Sequence, residues 1–382
     1  MFAHDHNDFA LALYGQLLRR ASNLFFSPLS IQMALAMTHA GARGETAAQM
    51  SKALGLPSSN EIRPTGFAEL GRRLDAADGA KHELAVANSL WAQEGAPLQT
   101  TFLELVSRCY RGELHLVDFC RSSDPSRLAI NGWVESKTKG RITELVPVGG
   151  IASDTRLVLV NAVYFKGRWA LEFDEAATSD EPFYLEGGGQ VRAPLMNQQE
   201  EARYLRGEGF QVVDLDYQGS DLSLLLLLPD QKDGLRDLET SLSAQMLDAI
   251  VARMVSRKVE VFLPRFRLTC VPSHLEEGLR ALGMSLPFTR QADFSGINGH
   301  QPPDDEALFL SAVHHKAFVE MNERGTEAAA ATAIVLEVLI SLCARPPVPV
   351  FRADHPFLFA IRDRQSGVIL FLGRMADPTR DS

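Results

Sequence analysis

The chain has no apolar stretch long enough to cross a bilayer. Its longest, Leu222-Ser-Leu-Leu-Leu-Leu-Leu228, falls far short of the ~20 residues a spanning helix needs. The first residues, Met1-Phe-Ala-His-Asp-His-Asn-Asp8, show no basic region followed by an apolar core, so no signal peptide is recognisable and a cytoplasmic location is expected. The alternative is an extracellular protein exported without a cleaved signal. Cysteine is scarce: Cys109, Cys120, Cys270 and Cys343 are the only four in 382 residues, and none forms a CxxC pair. That is too few to staple a fold of this size, and free thiols are expected. Long runs of one charge are also missing. The 38 basic and 48 acidic residues give a net charge of −10, which disfavours nucleic acid and anionic membrane as partners.

Catalytic signatures are equally sparse. There is no GxSxG elbow and no HExxH, and Gly41-Ala-Arg-Gly44 lacks the lysine of a phosphate-binding loop. Gly187-Gly-Gly189 reads as a flexible turn, and His4, His6, His314 and His315 are too loosely placed to argue for a metal. No enzymatic activity, cofactor or metal is expected.

What is present is material for a large core, since 46% of the residues are hydrophobic. Phe9, Leu13 and Leu17 recur at helical spacing behind possible caps at Asn7 and Asp8. Ser27-Pro28 places a capping hydroxyl before a proline suited to the first helical position, and Ile31 to Met37 continues as an apolar helix. The same grammar recurs at Asp124-Pro125, ahead of a helix carrying Ile130, Trp133 and Val134 that stops near Gly140. Later segments read as strands: Leu157 to Phe165, Leu222 to Leu228 and Val259 to Phe262. A terminal hairpin pairs Phe357–Ile361 with Val368–Leu372. With no repeat and no linker in sight, one mixed α+β domain over residues 1–382 is expected.

One segment departs from this pattern. Between Phe318-Val-Glu-Met321 and the prolines at 346, 347 and 349 runs Gly325-Thr-Glu-Ala-Ala-Ala-Ala-Thr-Ala-Ile-Val-Leu-Glu-Val-Leu-Ile-Ser-Leu-Cys-Ala-Arg345. Its alanines favour a helix, with Thr326 as a cap. Yet Thr326, Ala328, Ala330, Thr332, Ile334, Leu336 and Val338 all fall on even positions, while Glu327 and Glu337 fall on odd ones. Period two suits a strand with its even side facing a core. Local pattern leaves both readings open.

Several motifs together resemble the serpin family. Glu323-Arg-Gly325-Thr326-Glu-Ala-Ala-Ala-Ala331 is similar to the hinge of inhibitory members, and Phe351-Arg-Ala-Asp-His-Pro-Phe-Leu-Phe359 with Phe371-Leu-Gly-Arg374 is similar to the family signature. Further matches are Asn23-Leu-Phe-Phe-Ser-Pro-Leu-Ser-Ile31, Asn161-Ala-Val-Tyr-Phe-Lys-Gly-Arg-Trp169 and Ala292-Asp-Phe-Ser-Gly-Ile297. The resemblance implies about nine helices, a large central sheet of five strands, two smaller sheets and an exposed reactive-centre loop at about 323–350. It implies a suicide substrate: a protease cuts the loop, stays acylated, and is carried across the molecule as the loop inserts into the central sheet as a new strand. The nucleophile then belongs to the protease.

The resemblance also assigns roles. Glu323, Gly325, Thr326, Ala328, Ala330 and Thr332 form the hinge. Trp169, Arg265 and Glu323 form the "breach" where insertion starts, with an ion pair expected between Arg265 and Glu323. Ser27, Ser30, Asn161 and His315 form the polar "shutter" under the strands that part. The usual spacing from the hinge puts the cut between Leu339 and Ile340, rather than at Leu342, Cys343 or Arg345. Leucine there suits a protease with an apolar primary pocket: chymotrypsin-like, elastase-like, subtilisin-like or a cysteine protease. A monomer is expected. The alternative is a non-inhibitory carrier, chaperone or storage protein, whose hinge would hold bulky or charged residues. Residues 65–82 lack a dense basic run, although Arg72, Arg73 and Lys81 are present, so polysaccharide activation is not expected.

Overall fold

The computed structural model describes residues 2–18, 22–56, 66–67, 69–71, 82–95, 97–110, 112–272, 274–326 and 347–381. Helices gather in the first part of the chain and strands in the rest, as the hydrophobic periodicity predicts. Helix α1 (Phe2–Leu17) buries Phe9, Leu13 and Leu17 one turn apart. It begins earlier than expected, and Asn7 is no cap: its amide donates to the Gly367 carbonyl at 2.9 Å and its oxygen accepts from the Ile369 N–H at 3.1 Å. A partner some 360 residues away claims the side chain that local pattern assigned to the helix end. In α2 (Pro28–His39), the Ser27 hydroxyl caps the Ser30 N–H at 3.1 Å and Pro28 occupies the first turn. Helices α3 (Gly44–Leu54) and α4 (Thr100–Tyr110) follow, then α5 (Ser123–Lys137), which buries Ile130 and Val134. The short α6 (Leu235–Ser241), α7 (Ala244–Arg253), α8 (Leu275–Ala281) and α9 (Ser295–Asn298) complete the α-helices of defined bounds among the described residues, beside 3-10 turns at Glu175–Ala177 and Leu286–Phe288.

The strands form two sheets. One holds β1 (Leu24–Phe26), β15 (Ile369–Met375), β14 (Phe357–Asp363), β8 (Leu222–Pro229), β7 (Phe210–Asp216), β6 (Gln190–Arg206), β9 (Val255–Pro264) and β13 (Val350–Arg352) in that order, with β5 (Ser179–Tyr184) on β6. The two smaller sheets expected from the resemblance are thus hydrogen-bonded into one. The cause is β6, which pairs with β5 near one end, with β7 near the other and with β9 between Leu195 and Tyr204.

The second sheet runs β10 (Phe266–Cys270), β11 (Leu310–Asn322), β4 (Leu157–Arg168), β2 (His82–Gln93) and β3 (Glu113–Val117), with the two-residue β12 (Gly325–Thr326) wedged between β11 and β4. β4 and β11 are parallel neighbours from Leu157↔Leu310 to Tyr164↔Phe318 and separate above that point. The main apolar core lies on one face of this sheet and carries Leu157, Leu159, Val163, Phe165, Ala317, Val319 and Met321. A second cluster lies on the other face, where Val158, Val160, Ala162, Tyr164 and Phe318 pack under Ile130 and Val134 of α5 and under Ile142, Leu145, Val146 and Ile151. Among the described residues, no helix is long and apolar enough to cross a membrane, and Cys109 and Cys120 are free thiols.

Candidate functional site

The segment that leaves β11 makes a tight reversal and starts back down the sheet. Thr326 pairs antiparallel with Met321 on one side and with Gly167 on the other, and Gly325 with Asn322 and Arg168. Two residues therefore already occupy a slot between β11 and β4. Glycine is required at its mouth: Gly325 has φ 137°, and a Cβ there would sit 2.0 Å from the Gly167 carbonyl oxygen. Thr326 is fully buried, its hydroxyl 3.1 Å from the Tyr217 hydroxyl and 3.8 Å from the Met321 sulfur. Tyr217 is held by Trp169, stacked at 4.9 Å, and by Phe165, edge-on at 4.9 Å.

The turn itself is anchored by Glu323, which is buried against an ion pair with Arg265 and accepts a 2.7 Å hydrogen bond from the Thr178 hydroxyl. Burial pushes this carboxyl up, but the hydrogen bonds from Arg265 and Thr178 outweigh burial and hold its pKa below the ordinary value. The Trp169 indole donates to the Asn322 carbonyl at 2.9 Å, and the Phe173 N–H to the Glu323 carbonyl at 2.8 Å. Trp169, Arg265 and Glu323 thus meet at one end of the slot. The Glu323→Ala variant is expected to lose about 1–2 kcal/mol of stability, the low range because Arg265 is half exposed and stays solvated. Denaturant unfolding checks this, and an unchanged midpoint removes the role.

Ser27, Ser30, Asn161 and His315 meet halfway down the same sheet. Register alone aligns three of the polar residues, with Asn88 opposite Asn161 and Asn161 opposite His315 on adjacent strands. The Asn161 amide donates to the Ser30 hydroxyl and to the Asn88 oxygen, and the Ser30 hydroxyl reaches that same oxygen at 3.3 Å. The His315 Nε2 accepts from the Ser27 N–H at 3.2 Å, so its proton sits on Nδ1, facing the Asn161 oxygen. Ser27 also donates to the Leu370 carbonyl at 2.7 Å, tying the cluster to β15. Nothing in the sequence around Asn88 marks it as part of this cluster. It sits in a strand of mixed polarity, and only the pairing with β4 shows its position.

Burial pushes the His315 pKa down to about 3 and that of its neighbour His314 to about 4. Unfolded, both titrate near 6.5. Between those limits the unfolded chain binds more protons, so stability is full above about pH 6.5 and falls with acidification by up to about 1.4 kcal/mol per pH unit for each histidine. The His315→Gln variant should show a shallower loss between pH 7 and pH 4. Urea midpoints across that range measure it, and an unchanged slope would contradict the assignment.

Ala328, Ala330, Thr332, Leu339 and Ile340 lie outside the described residues. No group of three His, Cys, Asp or Glu side chains suited to a metal occurs among the described residues.

Residues 4–378 match the family model for Serpin (serine protease inhibitor). An uncharacterised serpin-like protein of Thermococcus kodakarensis is 40% identical over 373 residues, covering 97% of this chain and 84% of its own. The leukocyte elastase inhibitor of Bos taurus is 40% identical over 366 residues, which is 94% of either chain. Among solved structures, human thyroxine-binding globulin complexed with thyroxine superposes with a TM-score of 0.87 at 29% identity, covering 99% of this chain and 98% of that one. A match that runs through the slot and both polar clusters, over nearly all of the sequence, makes this chain a member of the serpin family.

Proposed function

We propose that this chain inhibits a protease by offering the loop after Thr326 as a substrate and then taking up the cut loop as a strand between β11 and β4. The observation that carries the reading is the pairing of Gly325 and Thr326 in that slot. Continuing their register puts Ala328 opposite Val319 and Phe165, Ala330 opposite Ala317 and Val163, and Ile334 opposite Val313 and Leu159. Of these partners, Phe165, Val163, Leu159, Ala317 and Val319 line the main core, so the even positions are the ones that would turn inward. Thr332 would arrive level with His315 and Asn161, which are themselves paired across β11 and β4. A hydroxyl would thus reach the polar cluster that the incoming strand has to part, where it could replace a hydrogen bond.

Leu336 would come opposite Leu157, the first residue of β4. A cut just beyond, between Leu339 and Ile340, uses the whole slot: about fourteen residues at roughly 3.3 Å each make an arm near 46 Å. A cut at Arg345 would leave slack. Leucine before the bond, together with a 40%-identical relative named leukocyte elastase inhibitor, favours an elastase-like or chymotrypsin-like target with an apolar primary pocket. The test is to mix the protein with a protease panel, look for complexes that survive boiling in detergent, and sequence the released C-terminal peptide. A new N-terminus at Ile340 supports the assignment. Cleavage by every protease without a stable complex overturns the trap.

A further inference from the structure

The odd positions of the incoming strand meet a different obstacle. Carried on in the register of Gly325 and Thr326, an inserted strand would bring Ala329 opposite Phe318 and Tyr164, Ala331 opposite Lys316 and Ala162, Ala333 opposite His314 and Val160, and Val335 opposite Ala312 and Val158. This is the face covered by α5, and Val158, Val160, Ala162, Tyr164 and Phe318 are already packed there under Ile130 and Val134. A close-packed cluster does not admit four more side chains unless its lid shifts. Small alanines on this side reduce the shift without removing it.

The outer edge of α5 is tied down. Trp133 and Lys137, one turn apart, both reach Glu113 on the edge strand β3. The indole donates to Glu113 Oε2 at 2.9 Å, and the Lys137 ammonium lies 2.5 Å from Oε1. His115, two residues along the same face of β3, stacks on Trp91 at 4.2 Å and meets Trp133 edge-on at 5.6 Å. The Lys137 ammonium sits 5.7 Å from the Trp133 ring centre. These groups lie at the rim: the side chains of Lys137, Glu113 and His115 are 45%, 41% and 28% exposed. Contacts this exposed add little to global stability, yet those that bridge α5 to β3, the Glu113 bonds to Trp133 and Lys137 and the ring contact of Trp133 with His115, must break before α5 can lift.

We propose that Glu113 and His115, gripping Trp133 and Lys137, form a clamp that sets the rate at which the cut loop enters the sheet. The clamp rests on the trapping reading above, and its residues position α5 without touching the protease. Loosening it lowers the barrier to lifting α5 while leaving the inserted state unchanged, so insertion should accelerate. A purely structural role predicts the opposite pattern, in which stability falls and the rate does not rise.

The probe is a synthetic peptide with the sequence of residues 326–338, annealed to the uncut protein and followed by the gain in heat stability. The annealing rate is measured for wild type, Glu113→Gln, Lys137→Met and Trp133→Phe, together with each variant's thermal midpoint. Glu113→Gln, which weakens both contacts, should anneal about threefold to tenfold faster, the range spanned by an aromatic contact and a rim ion pair. Trp133→Phe keeps an aromatic ring and loses the hydrogen bond, and should be faster by less. Combining Glu113→Gln with Lys137→Met should add little to the first substitution alone. Annealing of the variants at or below the wild-type rate overturns the clamp. Failure of the wild-type protein to take up the peptide overturns the insertion reading itself, and the clamp with it.

Discussion

The Thr326→Arg variant should be cut by the target protease and released, with covalent complex reduced at least about a hundredfold, equivalent to about 2.7 kcal/mol. Thr326 is the second residue in the slot, fully buried between Met321 and Gly167, and its hydroxyl faces Tyr217 beneath the Trp169 ring. An arginine there would have to carry an unpaired guanidinium into the apolar side of the sheet, at a cost of several kcal/mol. The fold itself should survive, because the hinge lies at the mouth of the slot and can swing out into water. Insertion cannot proceed the same way, since residue 326 leads every residue behind it. Intact mass and detergent gels after mixing with protease distinguish cut from trapped chains, and Thr326→Ser, which keeps the hydroxyl, should retain trapping. Normal complex formation by Thr326→Arg would end the insertion account.

Cutting the wild-type loop at Leu339–Ile340 should raise the thermal midpoint by at least about 10 °C. Backbone hydrogen bonds gained by the new strand, about 0.5–1.5 kcal/mol each, come close to cancelling the roughly 1–2 kcal/mol per residue lost in ordering it. Burial then decides the sign. Ile334, Leu336 and Val338 each contribute roughly 1.5–3 kcal/mol when buried, and the first two would fall opposite Leu159 and Leu157 of the main core. Calorimetry of cut and uncut protein measures the difference. A carrier that leaves its cut loop outside the sheet would show no rise, and that result would favour the non-inhibitory reading.

Much of the architecture was legible before any coordinates. Ser27-Pro28 announces a helix start through chemistry that acts within three residues, and the Ser27 hydroxyl does cap Ser30. Ile130 and Val134 mark the buried face of α5 because helical spacing puts them there. The terminal hairpin follows from two apolar runs around Arg362-Asp-Arg-Gln-Ser-Gly367. Ser27, Ser30, Asn161 and His315 are linked only through resemblance, since no local pattern connects residues so far apart. Asn88 and Tyr217 carry no local signal for the same reason. Each matters through a partner on another strand, Asn161 for one and Thr326 for the other.

By itself the sequence determined which segments are apolar enough to be buried strands, where helices begin, and that residues 328–333 carry small side chains. Those properties depend on side-chain size and on intervals of two to four residues, which a linear reading contains. Only the tertiary structure decided that β4 and β11 lie side by side in parallel, that their separation opens a slot at Gly325 and Thr326, and that α5 closes its other face. Strand neighbours and their register are chosen by the burial of the whole sheet, a sum over residues hundreds of positions apart, and no short stretch of chain encodes that sum.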